Sequence, residues 1–289
     1  MYGLKLLCAE LPGNEIATYK ILELIETRKY DEALTAAEEI QAVITSYKTS
    51  STEEQIKNNC FIYARFFDLL KNLASYWRSL ESEKYHDSWC RLQDALDCLR
   101  QLKKFHSEQN VTLWYLTRQL LSIEKAYPYK LFTSCGFIFE RFECSICAQD
   151  IDGDLCPHIK GNLYSGEMAI ATAKKIKNLD HVSLVKKPKN KRLVVGHDDS
   201  SQHFNLFRML IEQFDTNNCS PLKLAQVQLI ETIRIDPDHK RAPRNSTCYC
   251  GSGKKYKSCC IKSERIPHVH MNISLGSLID HSKPTFNWT

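Results

Sequence analysis

Four cysteines fall within thirteen residues near the end of the chain, as Cys248-x-Cys250-x8-Cys259-Cys260. Two close pairs of thiolates separated by a short loop suit a tetrahedral Zn²⁺ ion, which takes four soft ligands. Between the pairs, Gly251-Ser252-Gly253 provides a backbone that can turn sharply. Such a loop folds with almost no hydrophobic core, because metal binding contributes about 10–16 kcal/mol in zinc-finger peptides at pH 7. A second constellation is Cys144-x2-Cys147-x8-Cys156-x-His158. Here a C-x2-C knuckle faces a third thiolate and an imidazole carried on one turn, again a zinc set. An iron–sulfur cluster, which takes four cysteines, would need Cys135 as the fourth and is the minor alternative.

The loop between the middle pairs holds Asp150, Asp152 and Asp154, but the twelfth position of a calcium loop counted from Asp150 is Gly161 and not Glu. The run therefore reads as a solvated loop. Cys156-Pro-His-Ile-Lys-Gly161, with Tyr164 and Val182–Val185 behind it, is loosely similar to zinc-knuckle segments of uncharacterised and phage-associated bacterial proteins. That similarity names no activity.

The run Arg244-Asn-Ser-Thr-Cys-Tyr-Cys-Gly-Ser-Gly-Lys-Lys-Tyr-Lys-Ser-Cys-Cys260 resembles the SEC-C motif, named for the C-terminus of the SecA translocase ATPase. The resemblance implies zinc on Cys248, Cys250, Cys259 and Cys260, and a module that contacts protein partners or, in some members, the ribosome. It spans about 20 of the 289 residues and carries no enzymatic activity with it. Gly251-Ser-Gly-Lys254 lacks the G-x4-G-K-[ST] spacing of a phosphate loop, and the chain has no Walker A sequence.

The elements that must position these ligands follow from the rest of the chain. With 289 residues, 43% hydrophobic and 25% charged, the composition suits a globular protein of about two domains. No run approaches the ~18 apolar residues of a membrane span, and the opening residues are too short in apolar character for a signal peptide. A cytosolic protein without membrane insertion is expected. In that reducing setting metal explains 13 cysteines better than disulfides do. Net charge is +5, yet residues 1–128 carry −2, 129–235 carry +2 and 236–289 carry +5. From Lys240 to Lys262 there are seven basic residues and no acid; from Lys174 to Arg192 there are eight and one acid, Asp180. Both runs are candidate contacts for nucleic acid or an acidic protein surface, although the first also balances four thiolates on Zn²⁺.

Helical spacing runs through Ile16, Tyr19, Leu22 and Ile25, then Ala33, Ala37, Ile40 and Ile44 behind Asp31 as N-cap. Arg28–Leu34 resembles the turn of a tetratricopeptide hairpin, but one unit makes only a helical hairpin. Ser51-x-x-Glu54 reads as a capping box before the stripe Ile62, Phe66, Leu69, Leu73, Trp77 and Leu80. Two more stripes run through Trp89–Leu99 and Leu113–Ile123, the latter stopping at Tyr127-Pro128. After Pro128, Leu131–Glu143 reads as a β-hairpin leading into Cys144, Met168–Ala173 and Val182–Lys186 as short strands, Phe204–Phe214 as a helix, and Leu222–Ile235 as strand or helix.

The expected class is α+β: a helical bundle over 1–128, a small α+β zinc-knuckle domain over 129–235, a linker over 236–244, the SEC-C motif over 245–262 and a tail over 263–289. No catalytic constellation is present, with neither H-E-x-x-H nor G-x-S-x-G. His197, Asp198, Asp199 and His203, and the pair His268 and His270, read as surface groups; Cys8, Cys60, Cys90, Cys98, Cys135 and Cys219 read as packing residues. Two complete four-ligand sets point to structural zinc, because a catalytic site keeps a position open. The expected function is a non-catalytic adaptor with a protein partner. The alternative is a nucleic-acid- or ribosome-associated protein, in phage response among other settings; a metal-dependent hydrolase comes last.

Overall fold

The structure is a computed structural model, described over residues 2–6, 11, 14–106, 109–196, 198–216, 219–235, 240–263 and 265–279. Cys8, His197, residues 236–239 of the expected linker and the tail from 280 lie outside the described residues. The chain divides into two units, Met1–Gln226 with Leu275–Thr289, and Val227–Ser274. The class is α+β.

The larger unit begins with five helices: α1 (Asn14–Glu26), α2 (Tyr30–Ser50), α3 (Glu54–Glu81), α4 (Tyr85–Phe105) and α5 (Val111–Ala126). Short connections make each pack on the next. α3 is the axis, about 42 Å long at 1.5 Å per residue. Phe66, Phe67, Leu69, Leu70, Leu73 and Trp77 are inaccessible to solvent, so the helix is enclosed on more than one side. α5 starts where the Asn110 side chain accepts from the Leu113 N–H at 3.1 Å, a side-chain cap. It ends as expected before Tyr127-Pro128.

Two expected caps take other roles. Asp31 lies inside the first turn of α2 and pairs with Arg78 at 2.5 Å. The Ser51 hydroxyl accepts from the Glu53 N–H at 3.1 Å, and α3 begins at Glu54 without a side-chain cap. The Glu54 carboxylate is therefore released for a distant contact, described below. The α1–α2 turn passes through Arg28 at φ 61°, where its guanidinium bonds Glu81 at 2.9 Å and also Asp215.

Beyond the bundle, the expected β-hairpin over Leu131–Glu143 is one long strand, β1 (Phe132–Cys144). Its partner is not local but β4 (Ala171–Val185), antiparallel, with Phe132 opposite Val185 and Cys144 opposite Ala171. The stretches read as separate short strands are parts of β4 and of a two-residue pair, β2 (Leu163–Tyr164) with β3 (Glu167–Met168). Charge and β-branched residues alternate too irregularly in β4 for a period-2 pattern to show, because the register slips twice. α6 (Asn205–Thr216) then lays Phe207, Leu210 and Phe214 into the bundle, with Phe214 5.6 Å from Trp77.

The second unit is built on β5 (Leu224–Ile235) paired with β6 (Arg265–Leu275). The segment beyond Lys262, read as a tail, thus supplies a strand. The β-branched residues of Val227–Ile235 settle the strand-or-helix ambiguity in favour of the strand.

Candidate metal centres

Each four-ligand set lies in the loop that joins two paired strands. Cys144 ends β1, and Cys147, Cys156 and His158 fall between β1 and β4; Cys248, Cys250, Cys259 and Cys260 fall between β5 and β6. In each set one ligand atom per residue lies within 4.8 Å of all the others. The cysteines are free thiols.

In the first set, β1 delivers Cys144 as its last residue. A tight knuckle follows, with Ala148 N–H donating to the Cys144 carbonyl at 2.9 Å and Ala148 itself left-handed at φ 59°. This turn aims the Ile146 N–H at the Cys144 sulfur, 3.5 Å away. Burial opposes ionisation of Cys144, but N–H donors of Cys147 and Ile146 outweigh it and hold the thiol below its ordinary range. The second arm turns at Asp150–Gly153 and Gly153–Cys156. It places the Cys156 sulfur 3.7 Å from that of Cys147 and 3.9 Å from His158 Nδ1. Burial and then the neighbouring cysteines push the Cys156 thiol up. Tyr164 stacks edge-on against the His158 ring at 4.7 Å, and its hydroxyl accepts from the Ile159 N–H at 2.8 Å. Cys144, Ile151 and Ala169 form a miniature core beneath.

Asp150 is engaged as a turn acceptor for the Asp152 N–H at 3.2 Å. Cys135 sits in β1 opposite Val182, nine residues before Cys144, and is outside the ligand set. The iron–sulfur alternative therefore loses its fourth cysteine.

Four contacts that the sequence did not disclose fasten this loop to the bundle. The Asn58 side chain accepts from the Gly166 N–H at 2.7 Å, and the Lys48 ammonium donates to the Gly166 carbonyl at 2.8 Å. Glu54 accepts from the Ser165 N–H at 3.2 Å, and Lys104 donates to the Gly161 carbonyl. Glu54 was visible in the sequence only as half of a capping box. Gly166, at φ 79°, has the Lys57 carbonyl where a Cβ would lie, so only glycine fits there.

The second set is compact. Cys248 N–H donates to the Lys254 carbonyl at 2.8 Å, Tyr256 N–H to Ser246 at 2.9 Å, and Cys259 N–H to Tyr256 at 3.1 Å. Gly251 and Gly253, at φ 78° and 69°, make the turn between the pairs; nothing crowds their absent side chains, so the dihedral alone calls for glycine. The Cys250 and Cys259 sulfurs are 3.5 Å apart, and those of Cys259 and Cys260 are 3.9 Å apart. Cys248 and Tyr256 are buried. The Ser252 hydroxyl and N–H, followed by the neighbouring cysteines, lower the Cys250 thiol to about 6, while Cys248 and burial push Cys260 up to about 12. The spread has a simple cause: four sulfurs this close cannot all be thiolates without a cation among them.

Both sets fit zinc. A Zn–S bond of about 2.3 Å gives a tetrahedron with edges of about 3.8 Å; the Cys147–Cys156, Cys250–Cys259 and Cys259–Cys260 sulfurs are 3.5–3.9 Å apart, and all ligand atoms of a set lie within 4.8 Å of one another. A disulfide would need about 2.05 Å. His203, His268 and His270 join no metal group among the described residues.

The SEC-C motif matches residues 244–262. The protein translocase subunit SecA of Campylobacter curvus (strain 525.92) is 75% identical over 24 residues, 8% of this chain and 3% of that protein. SecA 1 of Rhodopirellula baltica (strain DSM 10527 / NCIMB 13988 / SH1) is 49% identical over 35 residues, 12% of this chain and 3% of that protein. The chain thus spans about 3% of the length of these curated relatives. No solved structure matches. No helix among the described residues is long and apolar enough to cross a membrane. Residues 244–262 are thereby identified as a SEC-C motif, carried on the paired strands β5 and β6.

Proposed function

We propose that this chain is a non-catalytic adaptor that holds two structural zinc ions, one on Cys144, Cys147, Cys156 and His158, the other on Cys248, Cys250, Cys259 and Cys260. The observation that carries the reading is the pair of four-ligand sets, each gathered within 4.8 Å and each with at least one sulfur–sulfur contact of tetrahedral-edge length. Four protein ligands fill the coordination sphere and leave no position for a reacting water, so the metal acts as a rivet. A reducing, cytosolic setting suits thiol ligands of this kind. In this reading zinc fixes the two loops, and the surfaces they hold up engage a protein partner. Metal analysis of the purified chain tests it: two zinc ions per chain are expected, one after Cys248, Cys250, Cys259 and Cys260 are all replaced by Ser. No zinc, or an unchanged content in the variant, sinks the reading.

A nucleic-acid role is favoured by one observation. Lys254, Lys255, Lys257 and Lys262 surround the second set, and none forms an ion pair among the described residues. Binding of an oligonucleotide that weakens steeply between low and high salt would support that role.

A further inference from the structure

The β1–β4 ribbon has a face that its own unit does not cover. Directly opposite residues share a face: Thr133 with Leu184, Cys135 with Val182, Phe137 with Leu179, and Phe139 with Ile176. On β1 these residues alternate regularly. On β4 they do not, being spaced by three, three and two. The register shifts at Gly136/Phe137 and Ile138/Phe139 absorb Asp180 and Lys177 as extra residues. Two bulges therefore bring Ile176, Leu179, Val182 and Leu184 onto one face that regular pairing would have split. Phe132, on the other face, packs against Trp89. The aligned face stays open: Phe137, Leu179, Ile176, Val182 and Leu184 are 44–61% exposed. A contiguous apolar stripe of this kind marks an interaction site.

Charge selects the occupant. Each carboxylate of the ribbon is occupied within the ribbon: Glu140 by Lys175 at 2.7 Å, Glu143 by Arg141 and Lys174, and Asp180 by His181 at 2.9 Å. In the loop after β4, Lys191 pairs with Glu124 and Arg192 with Asp94 and Asp97. Lys177, Lys186, Lys187 and Lys189 remain exposed and form no ion pair among the described residues. A second copy would bring these lysines against one another. Stacked bases want aromatic faces, whereas most of this stripe is aliphatic. An acidic protein segment meets both conditions.

We infer that the open face of the β1–β4 ribbon docks an amphipathic, acidic helix of a protein partner, with apolar residues on the stripe and carboxylates on Lys177, Lys186, Lys187 and Lys189. Along β1 the stripe runs from Thr133 to Phe139, about 20 Å, which a helix of about 13 residues covers. This names the partner class of the adaptor role proposed above and rests on that reading.

The test uses the full, zinc-loaded chain and fluorescence anisotropy with an 18-residue helical peptide bearing Leu on one face and Glu on the other. A matched peptide with Lys for Glu, and a 20-mer of oligo-dT, are the comparison probes. The Glu peptide binds, and L179S/V182S weakens it at least tenfold. K186E/K187E/K189E weakens it about as much and confers binding of the Lys peptide, a gain that misfolding cannot produce. Equal binding of both peptides, binding of neither, preference for the oligonucleotide, or a dimer in sedimentation that L179S/V182S dissolves would each overturn the inference. Zinc content measured on the same samples keeps the two ideas separate. Missing zinc removes the adaptor reading, while two zinc ions per chain without peptide binding removes only the docking face.

Discussion

The two candidate metal sites use the same device in opposite surroundings. In both, the ligands occupy a loop between paired strands, and glycine or left-handed residues close the turns. The first loop has a miniature core of Cys144, Ile151 and Ala169 and four tethers to the bundle, through Lys48, Glu54, Asn58 and Lys104. The second, within its own smaller unit, buries Cys248 and Tyr256 and otherwise relies on backbone hydrogen bonds. A metal ion contributes most to order where least else does. The second site should therefore behave as a folding switch, and the first as a reinforcement.

The largest expected effect is at the second site. Replacing Cys250 and Cys259 by Ser removes half its ligands and forfeits metal free energy of about 10–16 kcal/mol. The amides of Cys248, Tyr256 and Lys257 should then exchange with solvent at unprotected rates, while α3 remains protected. Retained protection of Tyr256 would break the comparison. Cys147→Ser at the first site should cost more than about 4 kcal/mol of stability, the range of a lost metal. Hydrogen exchange should nonetheless show Gly161 and Ala169 still partly protected, because the tethers persist. Smaller again, Asn58→Ala leaves the buried Gly166 N–H without an acceptor and should cost about 1–3 kcal/mol in denaturant unfolding. The least effect is at the turns. Ala148→Gly should raise stability by roughly 1 kcal/mol by relieving a left-handed residue, and Gly253→Ala should lower it by roughly 1–2 kcal/mol. For both sites, metal affinity measured against a chelator should fall as pH falls, since protons compete for the thiolates.

The two clusters of Cys and His side chains were legible because they are written in residue type and local spacing, which a loop preserves. The helices were legible for a similar reason: Leu69, Leu73, Trp77 and Leu80 repeat at the period of the element. The β-structure was not. The partner of Phe132–Cys144 lies beyond the whole knuckle, and a long-range pairing leaves no local trace. In β4 the two bulges erase the alternation that would have marked Ile176–Leu184 as one strand with one apolar face. Ser51 and Glu54 show the limit from another side. Their types satisfy a capping box, but a tertiary acceptor need at Ser165 claimed the carboxylate. The eight cations of Lys174–Arg192 looked uniform, whereas Lys174, Lys175, Lys191 and Arg192 are held by carboxylates and only the others stay available.

Pairing of the flanking strands has a consequence for how such modules spread. Where Cys144 stands opposite Ala171, the chain enters and leaves the knuckle one strand spacing apart, about 4.8 Å. A segment whose ends already meet can be inserted into, or deleted from, any β-hairpin without moving the host. Replacing residues 145–170 by a two-residue turn should leave the ribbon closed, and grafting residues 144–171, which carry all four candidate ligands, onto an unrelated hairpin should transplant the candidate zinc site. The architecture of this chain is in that sense a pair of cassettes on stems, open to exchange by recombination.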